Sequence, residues 1–155
     1  MKVNLASLNA KYIHTCLALR CLKAYSRHEF DITISEFTIK DPVMFIVSEL
    51  FQKEADIVGF SCYIWNIEET IQVIRLLKKI KPELVVVLGG PEVSYDTDYW
   101  MERLPEVDFI VMGEGEAVFH QLLQEIRGDR KFHYVNGVAY RKEGRVVINL
   151  PGAKS

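Results

Sequence analysis

The feature that most constrains the fold is an alternation of strand-like and helix-like segments, which repeats five times before residue 130. The clearest strand is residues 84–88, Leu-Val-Val-Val-Leu, an unbroken apolar run that is typical of a parallel strand covered on both faces. Helices that connect successive strands in this way produce a parallel sheet with right-handed crossovers. The sequence therefore predicts an α/β domain with a doubly wound parallel sheet between two layers of helices.

The predicted elements follow from periodicity and from boundary signals. Strands are predicted at residues 3–8, 31–37, 56–61, 84–88 and 107–112. Helices are predicted from about Tyr12 to Tyr25, after an Asp41 N-cap with Pro42 at the first helical position, from an Asn66/Glu69 capping box to Pro82, over 96–104 and across 118–126. We expect a Rossmann/flavodoxin-like five-stranded parallel sheet in the order 2-1-3-4-5, followed by an antiparallel β-hairpin of residues 135–140 and 145–149. Residues 1–130 are assigned to the α/β domain, 131–150 to the hairpin and 151–155 to a linker.

Composition and charge exclude several classes of protein. With 155 residues, 49% hydrophobic and 26% charged, the chain has the make-up of one globular domain. Its net charge is −2 and its basic block at residues 78–81 ends a predicted helix, so we expect no nucleic-acid partner. No apolar run approaches the ~18 residues of a membrane span, and a strand follows Met1 directly, so we expect neither a span nor a signal peptide. Three cysteines without a CxxC pair favour reduced thiols and a cytoplasmic location.

The informative residues are those that follow each strand, because ligands of open parallel sheets bind beyond the carboxyl ends of the strands. These segments are residues 7–15, Ser61-Cys62-Tyr63, Gly89-Gly90-Pro91-Glu92 and Gly113-Glu114-Gly115-Glu116. They contain no GxxxxGK[ST] and no GxGxxG motif, which excludes a P-loop and a dinucleotide fingerprint. Asn9 and Ser61 stand where a phosphoacceptor receiver would need acids.

Each of these segments has a structural explanation beside a functional one. Gly89-Gly90 either lets a ligand approach the backbone closely or simply makes a tight turn after the strand. Ser61 either hydrogen-bonds a ligand or caps the turn at Cys62. Residues 113–116 either aim backbone N–H groups at a polar ligand or only begin a helix whose dipole favours acids.

Histidine, cysteine and aromatic residues give weaker signals. His14, near the start of the first predicted helix, is either a hydrogen-bonded structural residue or a ligand. Cys62 has no base adjacent in sequence, and we expect a buried thiol rather than a nucleophile. Aromatic side chains also crowd the loops after the third and fourth strands, where they either wall a large planar ligand or cover the end of the sheet. They are Tyr63, Trp65, Tyr95, Tyr99 and Trp100.

Taken together, these loops resemble the cobalamin-binding domain found at the N-terminus of B12-dependent radical S-adenosylmethionine (SAM) enzymes, a family that includes the anaerobic magnesium-protoporphyrin monomethyl ester cyclases. The resemblance rests on Ser61-Cys62-Tyr63, on Leu88-Gly89-Gly90-Pro91-Glu92 and on residues 107–116, and it covers nearly the whole chain. The B12 fingerprint of this fold is DxHxxG, then SxL, then GG. Ser61-Cys62-Tyr63 and Gly89-Gly90 stand in the places of the last two elements in order, with 25 residues between them.

The first element of the fingerprint matches only at its histidine. Residues 12–17 read Tyr-Ile-His-Thr-Cys-Leu, so Tyr12 stands where the family's aspartate would orient the imidazole. The resemblance makes His14 the candidate lower ligand of cobalt. Because the carboxylate partner is missing, we expect His14 to line the lower face of the corrin without a stable cobalt bond.

The resemblance implies a cobalamin-binding module. Glycines after the fourth strand would open a slot for the nucleotide tail, Ser61 would donate a hydrogen bond to it, and the corrin would lie near His14 and residues 113–116. Ser61, Cys62, Tyr63, Gly89, Gly90, Pro91, Gly113, Glu114, Gly115 and Glu116 are the other candidate cofactor-binding residues. On this interpretation Gly90→Leu would fill the slot while the domain still folds.

The chain has no CxxxCxxC motif and no nucleophile–base pair, so we expect it not to catalyse alone. Its role would be to present cobalamin to a downstream domain that holds the [4Fe-4S] cluster and SAM. An alternative is a cofactor-free docking domain with the same fold. A third is a stand-alone binder of small nucleotides.

Overall fold

The structure is a computed structural model that describes residues 1–10 and 16–152. Its strands are β1 (Lys2–Asn9), β2 (Asp31–Thr38), β3 (Ile57–Ser61), β4 (Val85–Gly89), β5 (Phe109–Val111), β6 (Val138–Lys142) and β7 (Arg145–Asn149). Its helices are α1 (Leu17–Ser26), α2 (Val43–Gln52), α3 (Ile67–Ile80), α4 (Pro91–Ser94), α5 (Thr97–Arg103) and α6 (Gly115–Arg127), with a 3-10 turn at Phe132–Tyr134. All of these strands form one sheet in the order β2-β1-β3-β4-β5-β6-β7. The predicted order 2-1-3-4-5 with a C-terminal hairpin is confirmed.

The first five strands are parallel, and their side chains alternate between two apolar cores. One core packs Leu5, Val87 and Val111 of the sheet against α1 and α6. The other packs Leu8 and Leu88 against α2, α3 and α5. Burial on both faces is why β3 and β4 are apolar at almost every position.

The hairpin continues the sheet beyond β5 in the antiparallel sense. Its turn is shorter than the four-residue connection predicted, because Lys142 already pairs with Arg145. Glu143 and Gly144 both have positive φ, as the tight two-residue turn requires. The Arg141 guanidinium donates to the carbonyls of Met101, Leu104 and Val107, so it fixes the hairpin to the end of α5 and to the segment that follows it.

One predicted helix start is wrong, and another lies outside the described residues. Helix α1 begins at Leu17, after an extended Cys16, and the expected start near Tyr12 falls in the segment 11–15 that the structure does not describe. The predicted cap of α2, Asp41, instead accepts a hydrogen bond from the Thr38 N–H at 2.8 Å, and α2 begins after Pro42. A short polar side chain can bond the backbone on either side of it, so spacing alone does not choose between a turn and a cap.

Within residues 1–10 and 16–152, no helix is long and apolar enough to cross a membrane. The same part of the chain contains no group of three or more His, Cys, Asp or Glu placed to hold a metal ion. Cys16, Cys21 and Cys62 are free thiols.

Candidate cofactor-binding site

A cavity of about 190 Å³ lies under the carboxyl edge of the sheet, between the sheet and helices α1 and α6. Its sheet wall is formed by Leu5, Gly59, Phe60, Ser61, Tyr63, Val87, Leu88, Gly89, Gly90, Pro91, Val111 and Gly113. Its helix wall is formed by Ala18, Leu19, Leu22, Gly115, Glu116 and Phe119. The cavity thus reaches three of the loops that the sequence marked as candidate site segments.

Two glycines on one face of the sheet line this cavity, and one of them, Gly89, leaves open space. Gly59 of β3 pairs with Val87 of β4. Two residues further along each strand, closer to the carboxyl edge, Ser61 pairs with Gly89. A Cβ at Gly89 would meet only the Val111 carbonyl, at 3.8 Å, so the space above Gly89 is open. A Cβ at Gly59 would lie 2.9 Å from the Leu5 side chain. Gly59 was missed by the sequence analysis, although a glycine inside an apolar strand is itself a signal of a close approach.

Gly90 lines the cavity but serves mainly the turn after β4. Its φ is +98°, and a Cβ there would lie 2.5 Å from the Cys62 carbonyl oxygen and 2.7 Å from the Cys62 nitrogen. Two backbone hydrogen bonds also join the loop after β3 to the loop after β4. The Cys62 N–H donates to the Gly89 carbonyl at 2.8 Å, and the Glu92 N–H donates to the Cys62 carbonyl at 3.2 Å. The expectation that Gly90→Leu would act only on the slot is therefore wrong, because any side chain meets fixed backbone.

Ser61 and Tyr63 bring polar atoms to the cavity near the carboxyl edge. Ser61 is buried and Tyr63 is half-buried. Burial raises the pKa of the Tyr63 phenol, while a side-chain hydrogen bond with Ser61 opposes this and the nearby Cys16 adds to it. The Tyr63 ring also stacks on Trp65, with centroids 4.4 Å apart and planes 7° apart. A neutral phenol and a hydroxyl are thus held at the mouth of the cavity as hydrogen-bond donors.

Cys62 is placed away from the cavity, unlike its two neighbours. Its side chain packs in the core on the α2–α3 face, because alternate residues of an extended segment point to opposite faces. Burial raises the pKa of the Cys62 thiol far above its usual range, and the Glu92 carboxylate adds to this. Cys62 therefore contributes its backbone to the Gly89–Gly90 turn, and its thiol is an inert core group.

The buried thiol predicts a loss of stability in alkali. The unfolded chain releases the Cys62 proton above the ordinary thiol pKa, while the folded protein keeps it, so stability is full below that pKa and falls as pH rises above it. We expect Cys62→Ala to reduce the fall in unfolding free energy by up to about 1.4 kcal/mol per pH unit between pH 9 and 10.5. Urea unfolding of both proteins across pH 7–10.5 measures this, and equal slopes would contradict it.

The segment after β5 places the start of α6 at the cavity mouth. Gly113 has φ +71°, and Gly113, Gly115 and Glu116 line the cavity. Glu114 precedes the helix and is not among the lining residues. The N-terminus of α6 therefore directs backbone N–H groups and a partial positive charge toward the mouth. His14 lies outside the described residues.

The aromatic residues of these loops divide into separate groups. Tyr63 and Trp65 stack beside the cavity. Trp100 instead packs against the core on the α2–α3 face, and its indole N–H donates to the Glu92 carbonyl at 3.0 Å. Tyr95 is 93% exposed. Trp100 thus covers the end of the sheet, one of the two alternatives that the sequence left open.

Asn66 holds the loop between β3 and α3 in place. It is fully buried; its side-chain oxygen accepts from the Tyr63 N–H at 2.8 Å, and its amide nitrogen donates to Leu8 at 3.0 Å and Ser61 at 3.1 Å. The predicted capping box is wrong, since this side chain makes no cap bond to α3. Asn66 therefore ties the ends of β1 and β3 to the loop that carries Tyr63.

Asn66→Ala should destabilise the protein by about 2–4 kcal/mol, because it leaves two carbonyls and one N–H buried without their partner. Urea unfolding at neutral pH measures the loss. Asn136→Ala is the matched control, since Asn136 is exposed, and its effect should stay within about 0.5 kcal/mol. A loss for Asn66→Ala no larger than for the control would contradict this role.

A parallel sheet with a glycine-walled apolar cavity beneath its carboxyl edge, and a helix N-terminus at the cavity mouth, defines a cofactor-binding α/β domain. Residues 3–123 match the B12-binding domain family, and the chain belongs to that family.

Known proteins with similar sequences and structures agree with this assignment. The chain is 32% identical over 158 residues to the cobalamin-dependent radical SAM methyltransferase TokK of Streptomyces tokunonensis, covering 99% of this chain and 23% of that protein. It is 32% identical over 75 residues to the anaerobic magnesium-protoporphyrin IX monomethyl ester cyclase of Synechocystis sp., covering 48% of this chain and 15% of that protein. The fold matches the cobalamin-dependent SAM radical enzyme OxsB with aqua-cobalamin and SAM bound, with a TM-score of 0.82, 22% identity, and coverage of 99% of this chain and 22% of that one. The predicted resemblance is confirmed, and this chain spans less than a quarter of each of these proteins.

Proposed function

We propose that this chain holds cobalamin and presents it to a radical SAM domain that lies outside the sequence described here. The observation that carries the proposal is the apolar cavity under the carboxyl edge, kept open at Gly89. The family match and the relatives named above support it. Bound cobalamin would supply a cobalt centre for the chemistry of the complete enzyme.

The residues around the cavity fit a group with an apolar end and a polar linker. Gly89 leaves open space, and the walls on both sides are mostly carbon. Ser61 and Tyr63 would donate hydrogen bonds to the nucleotide tail near the mouth, and the N-terminus of α6 would attract its phosphate. The chain's own task is thus to seat the cofactor, orient it and exclude water beneath it.

The remaining assignments extend this proposal. Residues 1–130 form the cobalamin-binding unit, 131–150 the hairpin of the same domain, and 151–155 a linker toward the radical SAM domain. That domain would hold the [4Fe-4S] cluster and SAM, and the complete enzyme would work in the cytoplasm without a nucleic-acid partner. Pro91, Gly113, Glu114, Gly115 and Glu116 would contact the cofactor at the edge of the sheet.

His14 is proposed to line the lower face of the corrin without a stable cobalt bond, because Tyr12 replaces the carboxylate that would orient the imidazole. Electron paramagnetic resonance of bound cob(II)alamin measures this. We expect no nitrogen superhyperfine splitting that depends on His14. Splitting that disappears in His14→Ala would make this histidine the axial ligand.

Cobalamin uptake tests the function directly. The purified protein is mixed with hydroxocobalamin, desalted and examined by visible absorption, and we expect the corrinoid to remain with the protein. Colourless protein would favour the cofactor-free docking domain. Binding of adenine nucleotides without corrinoid would favour the small-nucleotide binder.

A further inference from the structure

The inner part of the cavity has a different chemistry from its mouth. The register places Leu5, Gly59 and Val87 in one row across the sheet, and Ser61 and Gly89 in the next row toward the carboxyl edge. The inner row presents only carbon side chains or none. The backbone of β3 pairs with β1 on one side and with β4 on the other, so its peptide N–H and C=O groups are used in hydrogen bonds within the sheet.

The helix wall shows the same division. Glu116 lies in the first turn of α6 beside the mouth, whereas Phe119 lies one turn further in and is buried. Leu19 and Leu22 of α1 face the cavity from the other helix. Among the described lining residues, the polar side chains are Ser61, Tyr63 and Glu116. All three belong to segments at or next to the carboxyl edge.

We infer that the inner end of this cavity selects corrinoids by their nucleotide base, accepting an apolar base such as dimethylbenzimidazole and disfavouring an aminopurine such as adenine. This inference rests on the proposed function. A base seated against Leu22, Val87 and Phe119 would meet the carbon side chains of the cavity wall. The exocyclic amine and extra ring nitrogens of adenine would lose their hydrogen bonds to water there and gain no partner. The methyl groups of dimethylbenzimidazole have no such hydrogen bonds to lose.

Equilibrium binding of three corrinoids to the protein measures this selectivity. The first is hydroxocobalamin, the second the same corrinoid with adenine in place of dimethylbenzimidazole, and the third cobinamide, which lacks the nucleotide. We expect the adenine form to bind at least about tenfold more weakly than cobalamin, which corresponds to about 1.4 kcal/mol. Cobinamide should also bind more weakly, because it leaves the cavity empty.

A substitution in the wall assigns the selectivity to this cavity. Leu22 is half-buried, so Leu22→Gln can place an amide beside the base without burying it fully. We expect the ratio of the two affinities to fall at least about threefold in Leu22→Gln. Leu17→Gln is the matched control, because Leu17 lies on the same helix but is 72% exposed and does not line the cavity. The control should keep the wild-type ratio.

The outcomes separate the inference from the proposed function. Failure to bind any of the three corrinoids would overturn the proposed function. Equal affinity for cobalamin and the adenine form, or tighter binding of the adenine form, would overturn the selectivity alone. Cobinamide binding as tightly as cobalamin would show that the base does not occupy the cavity. An unchanged ratio in Leu22→Gln would remove the apolar wall as the source of selectivity.

Discussion

Gly89→Leu should abolish retention of cobalamin while the protein remains folded. A side chain at this position projects into the open part of the cavity, where a Cβ meets only the Val111 carbonyl at 3.8 Å. The backbone at Gly89 is ordinary extended strand and pairs with Ser61, so leucine imposes no strain there. Its isobutyl group would occupy the space proposed for the nucleotide tail.

Visible absorption after desalting measures retention, and a thermal melt of the same sample measures folding. A graded series of Gly89→Ala, Gly89→Val and Gly89→Leu should lose retention progressively, because each step fills more of the cavity. The melting temperature should change by no more than a few degrees across the series. Full retention in Gly89→Leu would show that the cofactor does not use this cavity.

Gly90→Ala should act in the opposite way and destabilise the fold. The φ of +98° and ψ of 169° belong to a region that is essentially restricted to glycine, and occupying it with another residue costs about 1–3 kcal/mol. The new Cβ would also lie 2.5 Å from the Cys62 carbonyl oxygen, which is backbone and cannot rotate away. We expect a total loss of roughly 3 kcal/mol or more, or about 6–12 °C in melting temperature.

Gly144→Ala separates the two causes of this loss. Gly144 also has a positive φ, +79°, but nothing lies within 4 Å of a Cβ built there. Its loss of stability in urea unfolding should therefore reflect backbone conformation alone, about 1–2 kcal/mol. If Gly90→Ala lowers the unfolding free energy no more than Gly144→Ala does, the close approach to Cys62 does not contribute to the loss of stability.

The sequence predicted the architecture well because the relevant signals are local. The apolar run at residues 84–88 and the alternation around it are sufficient for a parallel sheet, and the rule of right-handed crossovers limits the strand orders. The positions directly after the strands could also be predicted from the sequence. They include Ser61, Tyr63, Gly89, Gly90 and the segment 113–116, all of which line the cavity except Glu114.

The side chains that shape the cavity were harder to predict from the sequence. Leu5, Leu19, Leu22 and Phe119 read as core residues, because an apolar side chain that faces a cavity looks the same in sequence as one that faces another side chain. Asn66 resembled a helix cap, since the Asn-x-x-Glu spacing is local while its actual partners, at Leu8 and Ser61, lie on two strands. Cys62 belongs to the same sequence motif as Ser61, although their side chains point to opposite faces of the sheet.

The sequence by itself determined which segments meet at the carboxyl edge of the sheet, because strand ends and turn glycines are marked by residue types at short range. Only the tertiary structure decided what each residue does there. Gly89 opens the cavity and Gly90 makes the turn, although the two are adjacent and identical in kind. The difference arises because Gly89 faces the space beneath α1 and α6, while Gly90 faces the backbone of a loop that precedes it by 28 positions. That contact exists only once β3 and β4 have paired.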